Sequence, residues 1–230
     1  MKNFCKIILI SLMFSGITFS SFAQKDKKTF QGTITFGITY AGSSLNPAQL
    51  AQLPSSQTVT FKECKSKTEN VTGPVSTIQI VDGITKTQTV LIDYAGSKFA
   101  LKYTSQQITE QMANTAMPVV TLTKDTKVIE GFSCKKAILA TTQEDGTSKS
   151  DTIYYSDEIG CSDLNFSDTF KDVPGAVLEY TTFSPELDAK VAVCVKEVKK
   201  AKVSDNAFLI PSDYKEVTEE ELKTMFGGGQ

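Results

Sequence analysis

The stretch that decides the fold is residues 30–40, Phe-Gln-Gly-Thr-Ile-Thr-Phe-Gly-Ile-Thr-Tyr. Apolar side chains alternate there with glycine or threonine, at Ile34, Phe36, Ile38 and Tyr40. Successive side chains of a β-strand point to opposite sides of the sheet, so this two-residue period puts the apolar ones on one face. The stretch therefore predicts a strand with one buried face.

The same alternation recurs along the chain, in Val59 and Phe61, Ile78 and Ile80, Val90 to Tyr94, Phe99 to Tyr103, and Val191 to Val195. Turn-forming pairs such as Asp82-Gly83 and Ala95-Gly96 separate neighbouring runs, as in β-hairpins. Antiparallel sheets with one covered face carry this pattern. We expect a mainly β (α+β) chain with a single antiparallel curved sheet or an incomplete barrel.

Helical signals are short, and they predict two or three short helices packed on or in the sheet. Residues 105–117 carry apolar side chains four apart and stop before Pro118. Asn46 precedes Pro47 as an N-cap precedes a first helical proline. Thr218 and Glu221 have the capping-box spacing, which predicts a last helix through residue 226.

Residues 1–23 have the three regions of a cleavable secretory signal peptide. Lys2 and Lys6 supply the positive charge, residues 7–19 are largely apolar, and residues 21–23 form a small-residue cleavage site. The apolar run is shorter than the roughly 20 residues that a membrane-spanning helix needs. We therefore expect an exported protein, in the periplasm or outside a Gram-negative bacterium, with no transmembrane segment after signal cleavage.

Residues 24–230 are expected to form a single β-rich, half-barrel-like domain, with flexible ends at 24–29 and 227–230. The full chain has 24 basic and 26 acidic residues, a net charge of −2. Loss of Lys2 and Lys6 with the signal makes the remainder more acidic. Nucleic-acid binding requires a clustered positive surface, so we predict no nucleic-acid partner.

Four cysteines follow the signal: Cys64, Cys134, Cys161 and Cys194. In an oxidising compartment an even count allows two disulfides, in three connectivities that the sequence alone does not separate. No pair has the Cys-x-x-Cys spacing of redox or zinc-ribbon sites. The expected roles are a structural bridge or a buried free thiol.

The chain contains no histidine, which excludes catalytic systems built on imidazole within the chain. Residues 133–136 match Ser-x-x-Lys, but they lie in a predicted strand, where positions three apart point to opposite sides. Residues 163–167 resemble the opening of a calcium loop, yet Asp168 and Pro174 stand where glycine and glutamate are required. We predict a surface loop there, and no catalytic residue, metal or cofactor.

Twisted antiparallel strands leave two alternatives, a filled core or a cleft that accepts an acyl chain or another apolar ligand. The alternating pattern is the same in both. The side chains that would line such a cleft are Phe36, Ile38, Tyr40, Ile80, Ile92, Phe99, Leu101, Ile138, Tyr154 and Leu178.

Four segments occur in a familiar order: VIEGFSCKKA at 128–137, IYYSDEI at 153–159, VPGAVLEY at 173–180 and FLIPSDYK at 208–215. This order resembles the DUF4412-type exported proteins of Gram-negative bacteria. It is more distantly similar to the GLPGLI family and to the half-barrel superfamily of the outer-membrane lipoprotein carriers (LolA/LolB-like). The chain departs from the pattern at Tyr154, where tryptophan is frequent, and at Val173, where leucine is usual.

The resemblance implies an incomplete antiparallel barrel wrapped around helices, with an apolar concavity that holds acyl chains in the carriers. It also implies structural roles for individual residues, in which Pro174 and Pro211 would fix the backbone beside strands. Gly131 and Gly175 would permit turns or close backbone approach, and Tyr214 would dock the C-terminal segment.

Two functions are therefore expected. The first is a non-enzymatic exported envelope protein that binds an apolar or lipid-like ligand in the concave face of an incomplete barrel. The alternative is a protein-interaction or sensory module of the cell envelope, with a filled core and no small ligand.

Overall fold

A computed structural model describes residues 29–42, 45–142 and 146–227. The predicted signal peptide lies outside these ranges, as do most residues of the two predicted flexible ends. Twelve strands occur in these ranges: β1 Gly32–Ala41, β2 Ser56–Lys62, β3 Lys65–Thr72, β4 Val75–Asp82, β5 Thr87–Tyr94, β6 Ser97–Tyr103, β7 Val119–Ile129, β8 Phe132–Thr142, β9 Ser148–Ser156, β10 Ala176–Ser184, β11 Ala189–Lys200 and β12 Lys215–Glu216.

Hairpins join successive strands into two arms that meet at β1. The strand order is β12-β6-β5-β4-β3-β2-β1-β11-β10-β9-β8-β7. Every pair is antiparallel except β12 with β6, which is parallel. Within the described residues β7 and β12 are the sheet edges, so the sheet is not closed. The predicted mainly β fold, with a single curved and unclosed sheet, is confirmed.

The main core lies on β1 and its neighbours. Ile34 and Phe36 are buried in β1, where they pair with Val59 and Gln57 of β2. A bulge between Thr35 and Phe36 shifts the register toward β11, and bulges increase local twist. The buried cluster comprises Phe30, Ile34, Phe36, Val59, Phe61, Phe132, Cys134, Ile159, Leu164, Ala176, Leu178, Val193 and Val195. The stretch that predicts the first strand therefore forms the strand between the two arms and contributes Ile34 and Phe36 to the main core.

A second cluster lies under the C-terminal segment. Ile80, Leu91 and Ala100 are buried there, and Phe208, Ile210 and Tyr214 pack against them. The segment is also held by Lys98, whose Nζ lies 2.7 Å from Asp213 Oδ2. Tyr214 thus docks the C-terminal segment, as the resemblance implied.

Three short α-helices accompany the sheet: α1 Pro47–Leu50, α2 Ser105–Ala113 and α3 Glu219–Gly227. Asn46 caps α1, and Thr218 pairs with Glu221 at the start of α3, as predicted. The α2 helix ends at Ala113, four residues earlier than predicted. Asn114 leaves the helical conformation, and the residue before Pro118 is restricted to extended backbone. No helix in the described ranges has the length and apolarity that a membrane crossing requires.

One disulfide joins the two arms of the sheet. Cys64 lies between β2 and β3, Cys161 follows β9, and their Cα atoms are 5.1 Å apart. Cys134 and Cys194 are free thiols. They lie on β8 and β11, which β9 and β10 separate. At about 4.8 Å per strand their backbones are roughly 14 Å apart, beyond the reach of a disulfide, so the second bridge that an even count allows does not form.

Replacing both Cys64 and Cys161 by serine is expected to lower the free energy of unfolding by about 2–5 kcal/mol, because a bond across 97 residues restricts the unfolded chain. Urea unfolding followed by circular dichroism measures the loss. Cys194→Ser, at a half-buried free thiol, is the control, with an expected change below about 1 kcal/mol. Equal stability of the double variant and the native protein would contradict a structural role for the bond.

Candidate functional site

The segment between β9 and β10, residues 157–175, crosses the face of the sheet that carries the main core. We call it the crossing loop. Ile159 and Leu164 are buried in the main cluster, and Val173 is buried in a smaller one with Ile153 and Tyr155. These apolar anchors hold the loop against the sheet. The predicted surface loop at residues 163–168 is therefore wrong in part, because Leu164 and Asn165 are only 4% and 8% exposed.

Hydrogen bonds and the disulfide fix the shape of the crossing loop. The buried Asn165 Nδ2 donates to the carbonyls of Val173 and Gly175, both at 2.8 Å. Gly175 has a φ of +106°, and a Cβ there would collide with the Ser156 carbonyl. Glycine thus permits the close backbone approach that the resemblance implied. Because its amide nitrogen closes the loop, Asn165 has a structural role rather than that of a cation ligand.

A recess of about 270 Å³ remains between the crossing loop and the sheet. Its walls come from six adjacent strands, β4, β3, β2, β1, β11 and β10. Six strands laid flat would span about 24 Å, so the sheet must curve around so small a volume. The recess therefore lies in the concave face of the sheet.

The two walls of the recess differ in polarity. One wall is apolar and comes mainly from β1, β10, β11 and the loop: Phe36, Leu164, Phe170, Ala176, Val177 and Val193. The other wall, from β2, β3 and β4, combines the apolar Val59, Phe61 and Val81 with neutral polar groups: Gln57, Ser66, Thr68, Asn70 and Gln79. A ligand with an apolar side and a polar side would match this arrangement.

Asp168 is the charged side chain that lines the recess. Its Oδ1 accepts a hydrogen bond from the backbone N–H of Phe170 at 2.6 Å. The Asp168 residue is exposed to solvent on one side, yet the protein atoms packed around its carboxyl group desolvate the charged form and raise its pKa from 3.8 to about 6. The Phe170 hydrogen bond opposes that shift. No ion pair among the described residues includes Asp168.

One tyrosine, Tyr180, lies close to this carboxylate, and a second, Tyr40, lies close to Tyr180. Burial raises the pKa of Tyr180, and the nearby charges of Asp168 and Tyr40 raise it further. The Tyr180 ring meets the Phe170 ring edge to face, with centroids 5.3 Å apart. Tyr40, one of the ten predicted lining residues, donates its hydroxyl to the Pro54 carbonyl at 2.9 Å. The rings of Tyr180 and Phe170 and the Asp168 carboxylate therefore line the same recess.

The predicted lining residues lie in several different parts of the structure. Phe36 is the one of the ten that lines the recess. Leu178 is fully buried in the main cluster, and Ile38 and Tyr154 are half-buried at its margin. The Tyr154 ring lies 3.9 Å from Lys127 Nζ, on a different surface from the recess.

The other five lie away from the recess. Ile80 is buried under the C-terminal segment, and Phe99 packs against a ring of α3. Leu101 lines a groove between α2 and α3, while Ile92 and Ile138 are half-buried in β5 and β8. The ten residues do not lie around one cavity, because alternating positions cover separate clusters of a long sheet. Residues that share the two-residue apolar alternation therefore need not line the same cavity.

The remaining titratable groups do not assemble a reactive centre. Burial raises the pKa of the Cys134 thiol to about 11, so the thiol is protonated at neutral pH. The neighbouring Lys135 and Lys136 form ion pairs with Asp157 and Asp125. Residues 133–136 lie in β8. Positions three apart in a strand point to opposite sides of the sheet, so Ser133 and Lys136 do not form a Ser-x-x-Lys centre. No metal-binding cluster occurs among the residues that the structure describes.

Comparisons with known proteins show no family for this chain. No protein-family model matches it, and no curated protein matches it. Among solved structures, it is similar to the crystal structure of a DUF1329 family protein from Desulfovibrio piger. That match has a TM-score of 0.21 and 11% sequence identity, and it covers 80% of this chain and 91% of that one. A likeness at this level carries no argument, and the resemblance to DUF4412-type, GLPGLI and carrier proteins stays a prediction.

Asp168→Asn is expected to stabilise the protein above pH 6 and to have less effect as the pH falls toward about 4. The folded pKa of about 6 lies above the ordinary value of 3.8. The folded state therefore disfavours the ionised form, and stability falls as the pH rises between those values. Asparagine keeps the acceptor for the Phe170 N–H.

Thermal unfolding across a pH series measures this difference. Asp172→Asn, at an exposed position of the same loop, is the matched control. An Asp168→Asn variant that is less stable than the native protein at neutral pH would show that the carboxylate stabilises the loop.

Proposed function

We propose that the protein is a non-enzymatic, exported binding protein of the cell envelope whose concave recess takes a small apolar or lipid-like ligand. The observation that carries this proposal is the recess of about 270 Å³ between six curved strands and the crossing loop. Ligand sites are concave, largely apolar and supplied with a few placed polar groups. The apolar wall and the single carboxylate match that description.

The crossing loop makes the recess preformed. Asn165 and the disulfide hold the loop in place, so a ligand does not have to order it on binding. Preformed sites avoid that part of the cost of association. Typical ligand pockets measure about 300–1,000 Å³, so this recess suits a compact molecule or the end of one chain rather than a whole two-chain lipid.

A non-enzymatic role agrees with the chemistry of the chain. The sequence contains no histidine, and the recess is lined by one carboxylate without a second acid or a lysine beside it. General acid–base or nucleophilic catalysis requires a partner group within hydrogen-bond reach. Binding is the function that these groups support.

Strand-edge pairing with an envelope protein is a second candidate function. The edge strand β7 exposes Val119 and Val128, which are 70% and 74% accessible. Extended segments of partner proteins can add to such an edge. However, a bulge between Leu122 and Thr126 interrupts β7, and bulges with charged side chains protect edges from pairing. The recess therefore supports the first function better.

Thr68→Trp is expected to weaken binding of 1-octanol, a neutral apolar probe, by at least about tenfold. Thr68 is half-buried on the polar wall, where an indole would occupy the recess without disturbing the core. Isothermal calorimetry at neutral pH measures the affinity. Native mass spectrometry of the exported protein would reveal a retained small molecule in the same site.

Thr121→Trp is the matched control, since it makes the same substitution at an exposed position of β7. It should leave 1-octanol binding unchanged. If the native protein takes up no 1-octanol, or if both variants bind it equally, the recess is not a ligand site and strand-edge pairing becomes the better explanation.

A further inference from the structure

The charge of Asp168 is not explained by the structure of the crossing loop. Its Oδ1 accepts from the Phe170 N–H, which asparagine would do equally well. The buried side-chain bonds that close the loop come from Asn165. Within the described residues, Asp168 Oδ2 has no hydrogen bond. A carboxylate with a free oxygen and a raised pKa is a feature of functional sites more than of structural ones.

No cation of the protein faces this carboxylate. The lining of the recess includes no lysine, and the titratable group beside Asp168 is Tyr180 of β10. On the loop itself, the next charged side chains are Lys171 and Asp172, which are exposed as Asp168 is but lie outside the lining. Asp168 is exposed to solvent beside the recess, and an ionised carboxylate there forms charge-assisted hydrogen bonds with a positive group that enters the recess. The missing partner is therefore expected from the ligand.

The geometry points to a ligand that carries a protonated amine on a short apolar chain. This inference rests on the proposed function, because it names the class of ligand that the same recess binds. The ammonium group would donate charge-assisted hydrogen bonds to Asp168. The rings of Tyr180 and Phe170 supply faces that attract a cation. The chain would lie along the apolar wall of Phe36 and Val193.

The volume of the recess sets the size of the probe. A water molecule occupies about 30 Å³ of liquid, so 270 Å³ corresponds to about nine heavy atoms. Octylamine has that size, with one nitrogen and an unbranched chain. 1-Octanol and octanoate have nearly the same shape, with a neutral or a negative end. The three probes therefore differ chiefly in charge.

Calorimetry of the purified protein with these three probes tests the inference. At about pH 7.5, octylamine should bind at least about tenfold more tightly than 1-octanol, and octanoate should bind more weakly than either. Lowering the pH to about 5 protonates a carboxyl of pKa about 6, so octylamine affinity should fall about tenfold. 1-Octanol affinity should not change.

The Asp168→Asn variant should bind octylamine and 1-octanol equally and without pH dependence. Asp172→Asn should retain the native preference for the amine. A native protein that binds 1-octanol as tightly as octylamine, or an Asp168→Asn variant that keeps the preference, would overturn the amine inference and leave the proposed function intact. Absence of binding by all three probes would overturn the proposed function itself.

Discussion

The recess exists because the crossing loop is attached to the sheet at several points that are far apart in the sequence. Asn165 closes the loop upon itself, and the bond between Cys64 and Cys161 joins it to the opposite arm. Gly83 makes room for this junction, since a Cβ there would lie 2.6 Å from the Asp163 carbonyl and from the Cys64 sulfur. The position of Asp168, and with it the chemistry of the site, depends on these attachments.

Most of the fold follows from local patterns in the sequence. The alternation from Ile34 to Tyr40 predicts β1, and capping residues such as Asn46 predict the helix starts. Strands β3 and β7 have no such regular alternation and are among the strands that are not predicted. In β3 the recess-facing residues Ser66, Thr68 and Asn70 are polar, because they line a cavity instead of a core. The polar residues that line the recess are therefore also the reason why β3 shows no apolar alternation in the sequence.

The candidate site is less predictable than the fold because its residues come from distant segments. Phe36 appears among the predicted lining residues, whereas Asp168 appears in the sequence only as a mismatch to a calcium loop. Its position depends on a disulfide whose pairing the sequence leaves open and on the bonds of Asn165. The signal that could have found the loop is its apolar content, since Ile159, Leu164 and Val173 are unusual in a solvated turn.

The central position of β1 has a consequence for how the chain reaches its native state. Ile34, near the beginning of the sheet, pairs with Val198 of β11 near its end. The two arms therefore cannot be joined until almost the whole polypeptide has been synthesised. Contacts between such distant residues also slow folding, because a long loop must close first. A chain with this topology stays incompletely folded until β11 has been synthesised, because β1 lacks one of its two neighbouring strands before then.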